Sequence, residues 1–332
     1  MKYPRVAIIG CGAVVEQLHL PAFKKIGLRP NLFIDIDLKR AEQLANGFGA
    51  KFSNDYNKVL KDFDAALISV PHSLHAPISI DLMKNKKHVL IEKPMATTLQ
   101  ECKDMVDCAN LNNVKLSVGL FRRYRTGYSW IREFLNSGGL GQIKSFECFE
   151  GNVYSWPVTT NSFWKREKAG GGVLIDTGAH TLDLLIWWLG NLKVITYKDD
   201  SYSGVEADCI IELSTDSGAT GTVQLSRTRK LSNTAIIEGS AGKIEISLGS
   251  NNISAYPKTL LDGIYNGKNL KKNRPQSVPD LIRHQFLNWI SGMQGKQNIC
   301  VTGEDGLHSI KLIERCYDIR EYWLFPWMRA TI

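Results

Sequence analysis

Residues 172–190 read GVLIDTGAHTLDLLIWWLG, an apolar run interrupted by Asp176, His180 and Asp183. In a helix these three fall at i, i+4 and i+7 and line one face, with Trp187 continuing the stripe. Leu182, Leu185, Ile186 and Leu189 fill the opposite side. Burying each of them contributes roughly 1.5–3 kcal/mol, whereas an unpaired buried carboxylate is costly, so the acidic stripe must face something polar. Asp176 also suits a helix N-cap, since it follows the glycines 170–172, and His180 alone would suit a satisfied interior position.

A second chemical pattern opens the chain. The run RVAIIG (5–10) leads into Gly10-Cys11-Gly12-Ala13-Val14-Val15. A strand, a tight glycine turn and a helix N-terminus bring backbone N–H groups and the helix dipole onto a pyrophosphate. Val15 replaces the third glycine of the dinucleotide pattern, which is expected to push the helix off the strand. Asp35 ends the next apolar run at the distance suited to a ribose diol, and a carboxylate there repels a 2′-phosphate. NAD is therefore expected, with Lys39 and Arg40 keeping NADP open.

The elements that must hold these groups follow from the patterning. Up to about residue 120 short apolar runs alternate with helical spacing: RVAIIG, NLFID (31–35), AALISV (65–70), HVLIE (88–92) and KLSVG (115–119). Such runs predict a doubly wound parallel sheet of the Rossmann type, with helices on both faces. Thr98 and Glu101 form a capping box ahead of Leu99, Cys102, Val106 and Ala109, which predicts a helix. The fourth run ends in Pro71, His72 and His75 and the fifth in Glu92-Lys93-Pro94, all at the carboxyl edge where such sheets bind ligands. The two histidines are candidate cofactor contacts, against the ordinary reading of surface or capping residues; Lys93 projects into the same crevice. Beyond residue 120, ADCIIELS (207–214), ATGTVQLS (219–226), AIIEGS and KIEISL carry alternating faces and hairpin turns, and two helical stretches follow at about 279–294 and 304–323.

The 332 residues suffice for two domains, taken as 1–120 and 121–332. At 43% hydrophobic and 22% charged, with no apolar run near bilayer length, a soluble globular protein is expected. Lys2 and Arg5 precede an apolar run, but Glu16 and Gln17 follow at once, so a buried strand is expected there rather than a signal peptide. Seven scattered cysteines read as reduced thiols of a cytoplasmic protein, without a metal site. Lys plus Arg is 41 against 33 Asp plus Glu, a net +8 that favours anionic ligands; no basic tract points to nucleic acid.

Four stretches together resemble the glucose-fructose oxidoreductase and inositol dehydrogenase (Gfo/Idh/MocA) family: GCGAVVEQLHLPAF (10–23), LIEKPMATT (90–98), VGLFRRYRTGY (118–128) and AGGGVLIDTGAHTLDLLIWWLG (169–190). The resemblance implies an N-terminal Rossmann domain and a C-terminal α+β domain on a large, mostly antiparallel open sheet. It implies a homodimer or homotetramer formed through that sheet. It also implies a dehydrogenase or ketoreductase that moves a hydride between NAD(P) and a hydroxyl or keto carbon of a sugar. Two alternatives are a dinucleotide-binding sensor without turnover and a glycosidase with an internal hydride cycle.

By the same resemblance His180 is the expected base, Lys93 steadies charge on the substrate oxygen, and Asp176 holds a hydroxyl or orients the other two. Arg122 is the expected contact on the nicotinamide side, joining Gly10, Gly12, Ala13, Val14, Asp35, Pro71, His72, His75, Glu92 and Lys93 around the cofactor. Tyr124 and Trp164 are expected at the substrate with Asp176 and His180. The segment SFWKREKAGGG (162–172) is expected to fold over the substrate as a lid, the triple glycine allowing close approach and movement. Inositol-type members tend to carry an acid where Arg125 stands. Arg125, Lys165, Arg166 and Lys168 therefore raise an anionic substrate, such as a uronate or nucleotide sugar, against the plainer reading of a solvated basic rim.

Overall fold

The computed structural model describes residues 4–157, 161–202, 204–257, 265–266 and 275–323. The first sheet consists of β1 (Val6–Ile9), β2 (Leu32–Ile34), β3 (Lys51–Ser53), β4 (Ala65–Ile68), β5 (His88–Ile91) and β6 (Leu116–Val118). All neighbours are parallel and the order is β3-β2-β1-β4-β5-β6. Five of these are the apolar runs of the sequence. The sixth, β3, is an exposed edge strand of sequence KFS, too short and too polar to show a pattern.

Along β1, Val6 and Ile8 enter one core while Ala7 and Ile9 enter the other, so the continuous apolar run is the mark of a strand covered on both faces. The order reverses between β1 and β4, which opens a crevice at their carboxyl ends. Helices α1 (Leu20–Ile26), α2 (Leu38–Asn46), α3 (His75–Lys84) and α4 (Leu99–Asn112) supply much of the cover. Thr98 and Glu101 form the expected capping box of α4.

A 3₁₀ turn at 121–124 leads through α5 (Tyr128–Asn136) to the second sheet: β7 (Ile143–Gly151), β8 (Leu192–Asp199), β9 (Asp208–Thr215), β10 (Thr220–Ser226), β11 (Thr234–Gly239), β12 (Gly242–Ser247), β13 (Ile253–Pro257), β14 (Tyr265–Asn266) and β15 (Glu321–Tyr322). Among the described residues its order is β14-β13-β12-β11-β7-β10-β9-β8-β15. Only the β10–β7 and β15–β8 pairs are parallel. Pairing of Ser226 with Gly151, and of Thr234 with both Phe149 and Ser247, puts the ends of β7, β10 and β12 along one edge.

The second half also carries α6 (Arg166–Ala169), α7 (Val173–Leu189), α8 (Val278–Met293) and α9 (Gly303–Asp318). The long helix α7 packs on β9, β10 and α9. Helix α8 returns to the first sheet: Ile282, Phe286 and Trp289 are buried with Val6, Ile8 and Phe23, so residues from beyond position 120 complete that layer. No helix among the described residues is long and apolar enough to cross a membrane, and all seven cysteines are free. Trp289→Ala should cost roughly 3–5 kcal/mol; a denaturant midpoint close to that of wild type would show that α8 contributes little to the first layer.

Candidate active site

The glycine turn is shaped by contact. Gly10 has φ +91°, and a Cβ there would lie 2.1 Å from the Ser69 carbonyl oxygen. A Cβ on Gly12 meets nothing within 4 Å, and no side chain caps the helix that starts at Val15, so the free side of the turn is an open cradle with unscreened N–H groups. That cradle fits a pyrophosphate. Asp35 accepts a hydrogen bond from Cys11 N at 2.7 Å, which holds its carboxylate against the turn. Arg40 reaches the same place, donating to the Cys11 carbonyl at 2.9 Å and pairing with Glu16. Val15, standing where a glycine was expected, is fully buried, and residues 15–19 form a π-helical turn, wider than an α turn.

From the end of β5, Lys93 reaches across to α7 and pairs with Asp176. The other Asp176 oxygen accepts from Arg227 Nη2 at 2.9 Å, at the end of β10. Burial opposes ionisation of Asp176, but Lys93 and Arg227 hold its carboxyl well below the usual range. One turn on, His180 is 4% exposed and edge-on to Phe121. Burial, reinforced by the Arg122 and Lys93 cations, pushes its pKa well below that of an ordinary imidazole, so the ring is neutral at pH 7. Its Nδ1 is buried without a partner, leaving Nε2 as the nitrogen that can meet a ligand.

The start of α7 is pinned from outside the helix. Glu206, fully buried, accepts from the N–H groups of Gly172 (2.8 Å) and Leu174 (3.1 Å) and from the Tyr317 hydroxyl (2.7 Å). A carboxylate there complements the helix dipole. Tight contact explains two of the three glycines. A Cβ on Gly171 would lie 1.9 Å from Tyr317 Oη, and one on Gly172 1.9 Å from the Glu206 carbonyl oxygen. Asp176, expected as a possible N-cap, instead lies in the first turn, and Gly172 occupies the cap position.

The segment before α7 lies over Arg227, whose guanidinium stacks on Tyr154 (5.2 Å) and Phe163 (4.7 Å). Trp164 sits further out, 48% exposed, against those two rings. From the first sheet, His72 Nδ1 hydrogen-bonds the Ala169 carbonyl at 2.8 Å. Arg122 is engaged by both Glu150 oxygens (2.8 and 2.6 Å), and Thr181 donates to the same carboxylate.

Several residues marked in the sequence have their polar groups or rings engaged by other parts of the chain. His75 is wholly buried with both ring nitrogens against the Pro94 and Val70 carbonyls, so it braces the loop and is not placed to touch a cofactor. Tyr124 donates to Asn288 on α8 at 2.8 Å, which commits its hydroxyl to that helix. Asp183 leaves the polar stripe to pair with Arg123 (2.6 Å), which also binds Asp305, while Trp187 lies under Arg123 and Arg132; both residues belong to a helix junction. In each case the sequence marks the position, but packing decides which way the side chain turns.

Arg227, Glu206, His19 and Glu150 were not singled out from the sequence. His19 lies within the GCGAVVEQLHLPAF stretch and pairs in the interior with Glu92 at 2.6 Å, just before Lys93. Arg227 and Glu206 flank strands, where a lone charge reads as solvated, so nothing local distinguished them.

The chain belongs to the Gfo/Idh/MocA oxidoreductase family: its NAD-binding Rossmann model matches residues 4–120 and its C-terminal alpha/beta domain model matches residues 132–321. Inositol 2-dehydrogenase 3 of Saccharopolyspora erythraea is 30% identical over 56% of this chain and 53% of its own length. A dTDP-3,4-didehydro-2,6-dideoxy-alpha-D-glucose 3-reductase of Streptomyces violaceoruber is 24% identical over 61% of this chain and 60% of its own length. The chain thus aligns with between half and two-thirds of these relatives. The WlbA dehydrogenase of Bordetella pertussis, crystallised with NADH and UDP-GlcNAcA, superposes with a TM-score of 0.82 at 19% identity, covering 100% of this chain and 98% of that one, which establishes the shared fold.

Gly172→Ala should displace the start of α7 from Glu206 and cost roughly 1–3 kcal/mol; an unchanged melting temperature would show that the close approach is not required.

Proposed function

We propose that this protein is an NAD(H)-dependent dehydrogenase or ketoreductase acting on a hydroxyl or keto carbon of a sugar or sugar derivative. The observation that carries the reading is the meeting of Lys93 from the first sheet with Asp176 on α7, one turn from a neutral His180. The relatives named for inositol and for a nucleotide-linked deoxysugar support a polyol-like substrate. The open turn at Gly10–Val14 would hold the pyrophosphate, and Asp35 the adenosine ribose; Arg40, beside the same turn, is the residue through which NADP would be accommodated. Pro71, His72, Glu92 and Arg122 border the nicotinamide side. When bound, the nicotinamide accepts or supplies the hydride.

The chain's own part is proton and charge handling. In the oxidising direction His180 takes the hydroxyl proton at Nε2, and its neutrality leaves that lone pair free. Lys93 donates to the same substrate oxygen and stabilises the charge that develops there. Asp176, ionised throughout, keeps the ammonium directed, and Arg227 keeps Asp176 in place. Trp164 and the Tyr154–Phe163 pair wall the substrate side, with the segment through 172 as its cover. The far face of the second sheet exposes part of Phe149, Ile195, Ile210 and Ile236, and we assign it to contact with a second copy in a homodimer or homotetramer.

Absorbance at 340 nm with NAD or NADH and a panel of sugars, uronates and nucleotide sugars tests the reading. Lys93→Ala and His180→Ala should each lower kcat by roughly 10²–10⁴ while cofactor affinity stays close to wild type. Loss confined to cofactor binding would overturn the assigned roles. Because the His180 pKa is depressed, the base form is lost only as pH falls through a value below the ordinary 6.5 or so. The acid limb of kcat/KM for oxidation should therefore lie below that pH; a limb centred at or above it would exclude His180 as the base.

A further inference from the structure

The run Arg122-Arg123-Tyr124-Arg125 contains three guanidinium groups, and two have carboxylate partners: buried Glu150 for Arg122, and buried Asp183 with half-buried Asp305 for Arg123. Arg125 has none. It is 6% exposed, yet no carboxylate pairs with it among the described residues. Its Nη1 donates to Asn251 Oδ1 at 3.3 Å, and its guanidinium lies 5.8 Å from the Tyr128 ring centre. Its Nε and the Asn251 Nδ2 are both buried without a hydrogen-bond partner. Burial lowers the Arg125 pKa, partly offset by Tyr128 and reinforced by the Arg122 cation. An uncompensated buried cation with two idle donors beside it lacks an anion.

The sheet register locates this gap relative to the reactive groups. Asn251 lies in the turn between β12 and β13, and that turn leaves the sheet at the edge where β7 ends in Glu150 and Gly151 and β10 in Ser226. From β7 through β11 to β12 is two strand spacings, roughly 10 Å. The other basic residues near the site differ from Arg125: Arg166 lies against the Tyr317 ring at 4.8 Å, and Lys165 and Lys168 are exposed.

We propose that Arg125 and Asn251 form an oxyanion subsite that holds a phosphate or carboxylate group of the sugar substrate, roughly two strand spacings along the sheet edge from Glu150. The inference rests on the sugar oxidoreductase reading of the same cleft and narrows its substrate class to acidic sugars. A guanidinium fork with a neighbouring amide matches two or three oxygens of one such group.

Calorimetric titration of the full chain with NAD present tests this, using UDP, glucose 6-phosphate and glucuronate as probes. At least one probe should bind, and Arg125→Met should weaken it about tenfold or more, as loss of a charge-assisted contact predicts, while Lys103→Gln, on the exposed side of α4, changes it less than twofold. Binding of UDP or glucose 6-phosphate but not glucuronate identifies a phosphate; the reverse identifies a carboxylate. Arg125→Met should melt no lower than wild type, because it removes an unpaired charge. If it fails to fold, Arg125→Lys keeps the charge without the fork and should weaken the same probe. No binding by any probe, equal binding by wild type and the Arg125 variants, or a lowered melting temperature with unchanged binding overturns the subsite. Arg125-dependent binding without any 340 nm change would sink the dehydrogenase reading and leave the subsite standing.

Discussion

A single carboxylate joins three distant parts of this chain. Asp176 lies between Lys93, delivered by the first sheet, and Arg227, delivered by the second. Its charge is kept out of water by both layers, so it is tolerable only while the cations are present, and they in turn need it. Removing Asp176 leaves two cations facing each other without an anion, whereas removing either cation leaves the carboxylate with the other. The relative placement of sheets and helix is therefore tied to the chemistry of the cleft.

The rest of the second half secures that helix. Glu206 and Tyr317 grip its first turn, Gly171 and Gly172 permit the approach, and the Arg123–Asp183–Asp305 cluster ties its middle to α9. On the first-sheet side the His19–Glu92 pair lies directly behind Lys93. Burial opposes ionisation of Glu92, but His19 and Lys93 together hold its pKa below the usual value, so a carboxylate stands behind the strand end. Each of these contacts is interior, where a low dielectric makes a matched pair strong and an unmatched group costly. His180, held neutral among them, is the group on the stripe left without an ionic partner, which suits it to take up and release a proton.

The layers are also interdependent in their apolar packing. Helix α8, late in the chain, covers one face of the first sheet beside α1, and Trp289, Phe286 and Ile282 share a core with β1. The nucleotide-side crevice thus owes part of its wall to the second half of the sequence, and a division of the chain near residue 120 describes the order of its elements better than the location of its cores.

Periodicity and strand-end position, which are local, made much of this legible. The i, i+4 spacing of Asp176 and His180 put them on one helix face, continuous apolar runs marked strands buried on both sides, and Lys93 after such a run had to stand at the ligand edge. The resemblance of the four motif stretches supplied the pairing of that lysine with that helix. The structure alone decided partners far apart in sequence: Arg227 to Asp176 across 51 residues, Glu206 to Gly172 across 34 and His19 to Glu92 across 73. It also decided the direction of side chains that leave the edge, turning His75 inward to two carbonyls and Tyr124 toward Asn288. The physical reason is that a residue's type and spacing determine what it can bond to and on which face it lies, while the choice among possible partners depends on which charges and carbonyls the folded layers bring beside it.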